Sequence, residues 1–482
     1  MGADMNEHFD LIIIGSGPGG YVAAIKASQL GKKTAIIENR ELGGTCLNRG
    51  CIPTKTFMHS SRLFYEARNL QEAGIEIDGL RLDMNRIQER KEEIVSRIRK
   101  GIKSLLDANK ITVIPGTATI MDSHRVRVIK NWAEEQDTEQ EPRELSGDNI
   151  LIATGSKPFL PPIEGIEQEH IVTSDQLLST NELPYHKLLI IGGGVIGVEF
   201  ASIYQEFGCQ VEIIEAMDRI LPSMDKEISQ SVAMSLKKKG VKIHAKSVVK
   251  KISKTDQLLC EYEDSTGVHL TQAEGILVAV GRKANTEGLF QPDFSLEMEG
   301  DKIKVNENFE TSKEHIYAIG DVIKGVQLAH AASAQGIRAV ENMYGVKQSI
   351  ELSAIPSCIY TNPEIASVGL TEEEAKEKGY IVKTGKYPML GNSKTVLSAD
   401  ERGYIKVVCD SSNNKILGAQ IICTRATDMI GEFTTAIVNG LTTEDLGRVI
   451  RPHPTYGEAI TEAIEDVDNM AIHIMPKGKK QI

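Results

Sequence analysis

Apolar and polar positions alternate along this chain in blocks, and two of the blocks repeat. Residues 10–20 read D-L-I-I-I-G-S-G-P-G-G, a short apolar run ending in Gly15-x-Gly17-x-x-Gly20. Residues 21–30 have helix-forming composition, and 33–38 (K-T-A-I-I-E) form a second apolar run closed by Glu38. Residues 187–197 (K-L-L-I-I-G-G-G-V-I-G) repeat the pattern with Gly192, Gly194 and Gly197, and 210–215 (Q-V-E-I-I-E) close it with Glu215. From Gly15 to Glu38 and from Gly192 to Glu215 the offset is the same, 23 residues. Each copy predicts a buried strand, a glycine turn, a helix and a second strand.

Three further strand-then-glycine units follow the same grammar: 151–156 (L-I-A-T-G-S), 276–281 (I-L-V-A-V-G) and 316–322 (I-Y-A-I-G-D-V). Residues 85–109 carry many charges with helical apolar spacing at Ile87, Ile94, Ile98, Ile102 and Leu105 or Leu106, which predicts a long amphipathic helix. Residues 132–148 are acidic and unperiodic and include Pro142, which predicts an exposed loop or hairpin tip. From residue 355 onward strands and helices continue without glycine fingerprints, as expected of a separate C-terminal domain. The most apolar run, 188–204, holds four glycines and Glu199, which is no membrane span.

Composition narrows the class. The chain has 482 residues, 41% apolar and 25% charged, enough for several domains. A formal charge of −12 argues against non-specific binding to nucleic acid or anionic lipid. Residues 1–10 lack a basic and an apolar signal region, so the expectation is a cytoplasmic protein. Seven cysteines, an odd number, do not suggest a disulfide framework. Cys209, Cys260, Cys358, Cys409 and Cys423 are scattered singly and read as small buried hydrophobes.

The glycine units have a physical meaning. The first glycine permits the tight turn, the second admits a pyrophosphate to the backbone, and the third lets helix pack on strand. The helix N-terminal amides then receive phosphate. Glu38 and Glu215 are placed to accept hydrogen bonds from ribose, and a carboxylate at Glu215 would repel a 2′-phosphate, favouring NAD. Two dinucleotide sites are therefore expected. Asp321 is placed either to bind a polyol chain or to cap the next helix.

Cys46 and Cys51 differ from the other five cysteines because they are neighbours, in G-G-T-C-L-N-R-G-C-I-P-T-K (43–55). A structural staple, a metal clip and a redox pair all place two thiols this way. A zinc clip normally needs four ligands, and no second Cys or Cys/His cluster follows. A staple over so short a loop would constrain little chain. In a regular helix, residues five apart point about 140° from one another, so a bridge requires 47–50 to distort the helix start, with Gly50 as relief. Lys55 falls on the face of Cys51, one turn on. Far along the chain, R-P-H-P-T-Y-G-E (451–458) fixes His453 between prolines with Glu458 five residues later, a base with a carboxylate to set its tautomer.

Taken together, G-S-G-P-G-G, the 43–55 stretch, A-T-G-S, G-G-G-V-I-G-V-E-F, A-I-G-D-V and H-P-T-Y-G-E resemble the flavin-dependent pyridine nucleotide–disulfide oxidoreductases over nearly the whole length. The resemblance implies an α/β fold with two Rossmann-like dinucleotide-binding domains and a C-terminal α+β dimerisation domain. Its implied boundaries are 1–155 for FAD, 156–281 for NAD, 282–350 for a central domain completing the FAD site, and 351–482 for the interface domain. It implies FAD at Gly15, Gly17, Gly20, Glu38, Thr45, Lys55, Ala118, Thr154, Gly155, Asp321 and Ala329. It implies NAD at Gly192, Gly194, Gly197, Glu215 and Gly281, and no metal. Cys46 would exchange with substrate and Cys51 would lie beside the flavin. Lys55 would pair with Glu199, and His453, held by Glu458, would act as base on the other subunit of a homodimer. The implied partner is a dithiol on the lipoyl-bearing domain of a 2-oxoacid dehydrogenase or glycine cleavage complex, with a glutathione-like disulfide as the alternative. Three places depart from the family pattern: Arg49 replaces a small apolar residue, Ala118 a frequent glycine, and the pair Arg451-Pro452 precedes the histidine. The basic tail, 477–482, has no cysteine.

Overall fold

A computed structural model describes residues 7–129, 142–179, 185–399 and 403–475. Residues 1–6, most of the acidic 132–148 segment and the tail 477–482 lie outside the described residues.

Strand Glu7–Ile14 sits at the centre of the first sheet. It pairs in parallel with Thr34–Glu38 (Leu11 opposite Thr34) and with Arg143–Ile152 (Ile13 opposite Leu151). Thr112–Pro115 and Ile316–Ala318 extend the parallel set, and Arg125–Ile129 and Thr117–Ile120 add an antiparallel wing. The central strands are buried on both faces, which is why they read as continuous apolar runs rather than alternating ones. Helix Pro18–Gln29 leaves the first glycine turn and packs on helix Ala329–Met343, where Lys26 bonds the fully buried Glu341 at 2.8 Å.

The second sheet repeats this construction. Lys187–Ile191, Gln210–Ile214, Lys242–His244, Gly275–Val278 and Ile171–Thr173 are all parallel. Helix Val195–Phe207 leaves the second turn. The equivalence extends to single bonds: the Gly15 amide donates to Ile37 O at 2.8 Å, and the Gly192 amide to Ile214 O at 2.9 Å. A three-stranded antiparallel sheet, Val248–Lys254, Leu258–Asp264 and Gly267–Ala273, lies beside it.

The third sheet is antiparallel throughout, in the order Ser357–Ile359, Ile365–Gly369, Ile416–Ile422, Tyr404–Asp410, Val382–Pro388. Helices Ala426–Val438 and Glu458–Glu465 cover it.

Three expectations need correction. The charged helix spans Met84–Ala108; Ile102 and Leu106 are buried as its spacing allows, but Ile87, Ile94 and Ile98 are only half-buried while Val95, beside Ile94, is buried. A face about 100° wide admits a neighbour one position over. Arg143–Asp148 is not loop: it is the start of strand Arg143–Ile152, paired antiparallel with Arg125–Ile129. Its polar residues gave no apolar signal because this end is partly exposed. Among the lone cysteines Cys358 is only half-buried, whereas Cys209, Cys260, Cys409 and Cys423 are buried.

The third glycine of each loop is sterically fixed. A Cβ on Gly20 would lie 1.9 Å from Gly15 O. Gly20→Ala should therefore lower stability by about 1–3 kcal/mol. Gly101, in the exposed face of the long helix with nothing near its would-be Cβ, should gain about 0.5–1 kcal/mol as Ala. Urea midpoints of the two variants check both signs.

Candidate active site

The 43–55 stretch folds as two helices with a break between them. Gly44–Arg49 forms a short helix, Gly50 departs to φ −135°, ψ −109°, and Cys51–Arg68 starts a new helix. This is the distortion that two thiols five residues apart require, at the residue that tolerates it. A Cβ on Gly50 would sit 3.1 Å from Thr45 O, so the break is also tightly packed. The Cys46 and Cys51 thiols lie side by side, each the largest influence on the other's ionisation.

The pair is asymmetric. The Cys46 neighbour lowers Cys51 to about 7. The Lys55 ammonium adds to this, against burial and the Glu199 carboxylate. Cys46 is driven up, first by its Cys51 neighbour and then by burial. Negative charge therefore belongs on Cys51.

Asn48 clamps the short helix. Its Nδ2 donates to Leu42 O (3.0 Å) and Gly44 O (2.8 Å), and its Oδ1 accepts from Arg99 Nη2 (2.7 Å) and Nε (3.1 Å). Arg99 comes from the long charged helix, and nothing in the sequence marked it. Arg49, the departure from the family pattern, reaches back to Glu41 at 2.7 Å. Burial opposes the charge of Glu41, but the guanidinium holds its carboxyl below the usual range.

Behind the thiols, Lys55 Nζ donates to both oxygens of the buried Glu199, at 3.0 and 2.8 Å. Glu199 lies on helix Val195–Phe207, so the pair joins the thiol helix to the second nucleotide unit.

Both glycine loops fit a dinucleotide by the same observations. Gly17 and Gly194 are the N-terminal caps of their helices, neither helix has a side-chain cap, and a Cβ on either glycine would meet nothing within 4 Å. Free amides thus face open space where a pyrophosphate fits. Glu38 and Glu215 are buried at the ends of their strands. Glu38 Oε2 accepts from the Ser16 amide (2.8 Å) and hydroxyl (2.6 Å), and Glu215 Oε2 accepts from the Gly193 amide (2.5 Å). Elsewhere on the first unit, Ser156 Oγ donates to Asp321 Oδ2 at 2.5 Å, and Thr154 Oγ1 to Asn285 O at 2.8 Å. Gly155 and Gly281 have positive φ, Thr45 lies within the short helix, and Ala329 begins its helix. Ala118 is buried in strand Thr117–Ile120.

His453 and Glu458 meet as their spacing suggested. His453 Nδ1 bonds Glu458 Oε1 at 2.7 Å, and the Thr455 amide donates to Oε2 at 2.9 Å. Burial works against the Glu458 charge, yet these bonds keep its carboxyl below the usual range. The His453 side chain is 69% exposed, and among the described residues no hydrogen bond links it to Cys46 or Cys51 of the same chain. Arg451 is ion-paired with Glu432 at the base of this segment. Among the described residues there is no cluster of His, Cys, Asp or Glu fit for a metal, and no helix is long and apolar enough to cross a membrane.

Residues 9–336 match the family model described as pyridine nucleotide-disulphide oxidoreductase, and 355–464 match the dimerisation domain of the same family. The chain belongs to the pyridine nucleotide-disulphide oxidoreductases. Its similarity within them runs to proteins named dihydrolipoyl dehydrogenase. One from Bacillus subtilis is 41% identical, covering 97% of this chain and all of the relative. The mitochondrial one from Pisum sativum is 38% identical, covering 98% of this chain and 93% of the relative. Among solved structures, LpdA from Mycobacterium tuberculosis superposes with a TM-score of 0.87 at 25% identity, covering 95% of this chain and 99% of that one. The HOCl-induced flavoprotein disulfide reductase RclA from Escherichia coli gives 0.82 at 29%, covering 95% and 99%. The chain is an oxidoreductase of this family, with FAD and NAD as cofactors and a C-terminal dimerisation domain.

The thiol asymmetry has a direct consequence. In the reduced protein, alkylation of Cys51 by iodoacetamide should rise about tenfold per pH unit below 7 and level off above it, while Cys46 stays protonated through that range. Lys55→Met should move the Cys51 inflection upward, because the cation that favours its thiolate is gone. Peptide mass spectrometry over a pH series reads both.

Proposed function

We propose that the chain oxidises dihydrolipoamide, carried on the lipoyl-bearing domain of a 2-oxoacid dehydrogenase or glycine cleavage complex, to lipoamide, and reduces NAD+. The observation that carries this is the neighbouring Cys46/Cys51 thiol pair at a broken helix, with the Lys55–Glu199 pair behind it.

In the working cycle Cys46 and Cys51 form a disulfide. One thiol of the substrate gives its proton to His453 Nε2, since Nδ1 is engaged by Glu458. The resulting thiolate attacks Cys46 Sγ, the Cys46–Cys51 bond breaks, and Cys51 leaves as a thiolate. The second substrate thiol attacks the substrate sulfur of the mixed disulfide and expels Cys46, whose sulfur takes up the proton this thiol loses. Lipoamide departs with its S–S bond formed, and two electrons remain on the cysteine pair. In the homodimer each subunit's His453 serves the other's thiols.

The residues that would hold the flavin dinucleotide are Gly15, Gly17, Gly20, Glu38, Thr45, Lys55, Ala118, Thr154, Gly155, Asp321 and Ala329. Gly192, Gly194, Gly197, Glu215 and Gly281 would hold NAD. Bound FAD supplies two-electron transfer between the thiol pair and the nicotinamide. The domain division at 155, 281 and 350 belongs to the same proposal.

Dihydrolipoamide with NAD+ should turn over, and glutathione disulfide with NADPH should not; the opposite pattern overturns the substrate assignment. Cys46→Ser should abolish turnover while FAD remains bound, as its visible absorbance would show. His453→Gln should slow the reaction by about 10²- to 10⁴-fold.

A further inference from the structure

Tyr360 lies outside both glycine loops and outside the thiol pair, yet it touches the joint behind them. It follows strand Ser357–Ile359 of the C-terminal sheet. Its amide donates to Glu199 Oε1 at 3.0 Å, and Lys55 Nζ sits 4.6 Å from its ring centroid. Lys55 thus has two partners of different kind: the carboxylate fork of Glu199 and an aromatic face. Tyr360 is itself half-buried, and burial pushes its phenol up to about 12, so the ring stays neutral over the working range. The ionisable groups facing it are Lys55, Cys358, Glu199, Glu364 and Cys51; those facing Cys51 are Cys46, Lys55, Glu199 and Tyr360 itself.

We propose that Tyr360 is a positioning residue for the thiol reaction: its ring and its amide together hold Lys55 and Glu199 in the arrangement that keeps the ammonium beside the Cys51 sulfur. The physics is a competition. A lysine ammonium is a compact, strongly hydrated charge on a flexible stem. Glu199 attracts it but also opposes negative charge on Cys51. The aromatic face attracts the ammonium without adding a negative charge of its own. Because the second contact to Glu199 is from backbone, it survives any side chain at 360. The substitution therefore tests the ring alone. The proposal rests on the proposed function only in giving Cys51 a working role.

The experiment is the pH profile of Cys51 alkylation in the reduced, FAD-loaded dimer, read by peptide mass spectrometry. Tyr360→Phe keeps the ring and should match the wild type. Tyr360→Leu should alkylate about three- to tenfold more slowly at pH 7, with its inflection moved up and equal rates at pH 10. A Leu profile identical to wild type, or a Phe variant as impaired as Leu, overturns the proposal. If the Leu variant fails to fold, pentafluorophenylalanine at 360 preserves the shape and depletes the ring face of electrons. It should show the same slowing, and a wild-type profile would again overturn the proposal. A wild type that does not oxidise dihydrolipoamide would reject the substrate assignment and leave these profiles unchanged, so the two ideas fail separately.

Discussion

Three parts of the chain meet at the Lys55–Glu199 ion pair. Lys55 comes from the thiol helix, Glu199 from the helix of the second glycine unit, and the Tyr360 amide from the C-terminal sheet. A buried carboxylate with its cation removed would be costly, of order 3–5 kcal/mol, so the three parts are bound to one geometry. Packing reinforces the bond: Phe57, Phe200 and Tyr204 are almost fully buried in one core shared by the thiol helix and the second unit. Two turns further along the same helices, Ser61 Oγ donates to the buried Glu206 at 2.7 Å, a second polar tie in the same seam.

The two glycine units owe their visibility in the sequence to sterics. Gly20 and Gly197 must lack a side chain because a carbonyl lies at about the place of their Cβ, 1.9 and 2.0 Å away. Glu38 and Glu215 must be acids that can accept backbone amides in a buried place. Such demands leave one or two residue types at fixed offsets, and a reader of sequence finds them. The same holds for Gly50, whose backbone break follows from the separation of two thiols and the pitch of a helix.

Other contacts left no such trace. Arg99 reaches Asn48 from a helix about fifty positions away, and any long polar side chain would look alike in that amphipathic pattern. The N-terminal half of strand Arg143–Ile152 looks like loop because its residues are polar and partly exposed; only its pairing with Arg125–Ile129 makes it a strand. The role of Tyr360 depends on a ring meeting an ammonium 305 positions earlier. Local constraints are legible from residue type and spacing. Tertiary partners chosen from several acceptable types are not.

The surroundings of the two sulfurs also favour one direction for the proposed exchange. A disulfide opens most readily toward the sulfur that leaves as the weaker base. Cys51 is that sulfur: Cys46 and then Lys55 hold its thiol below the usual range. Attack on Cys46 expels a stabilised thiolate, whereas attack on Cys51 would expel a sulfur whose proton affinity is raised by burial and by its own neighbour. The roles of the two cysteines are thus not interchangeable even though they sit five residues apart: one lies in the short helix and the other opens the long one. Lys55 lowers both thiols, so the division rests on the whole setting of the pair, with Cys51 held low and Cys46 driven up.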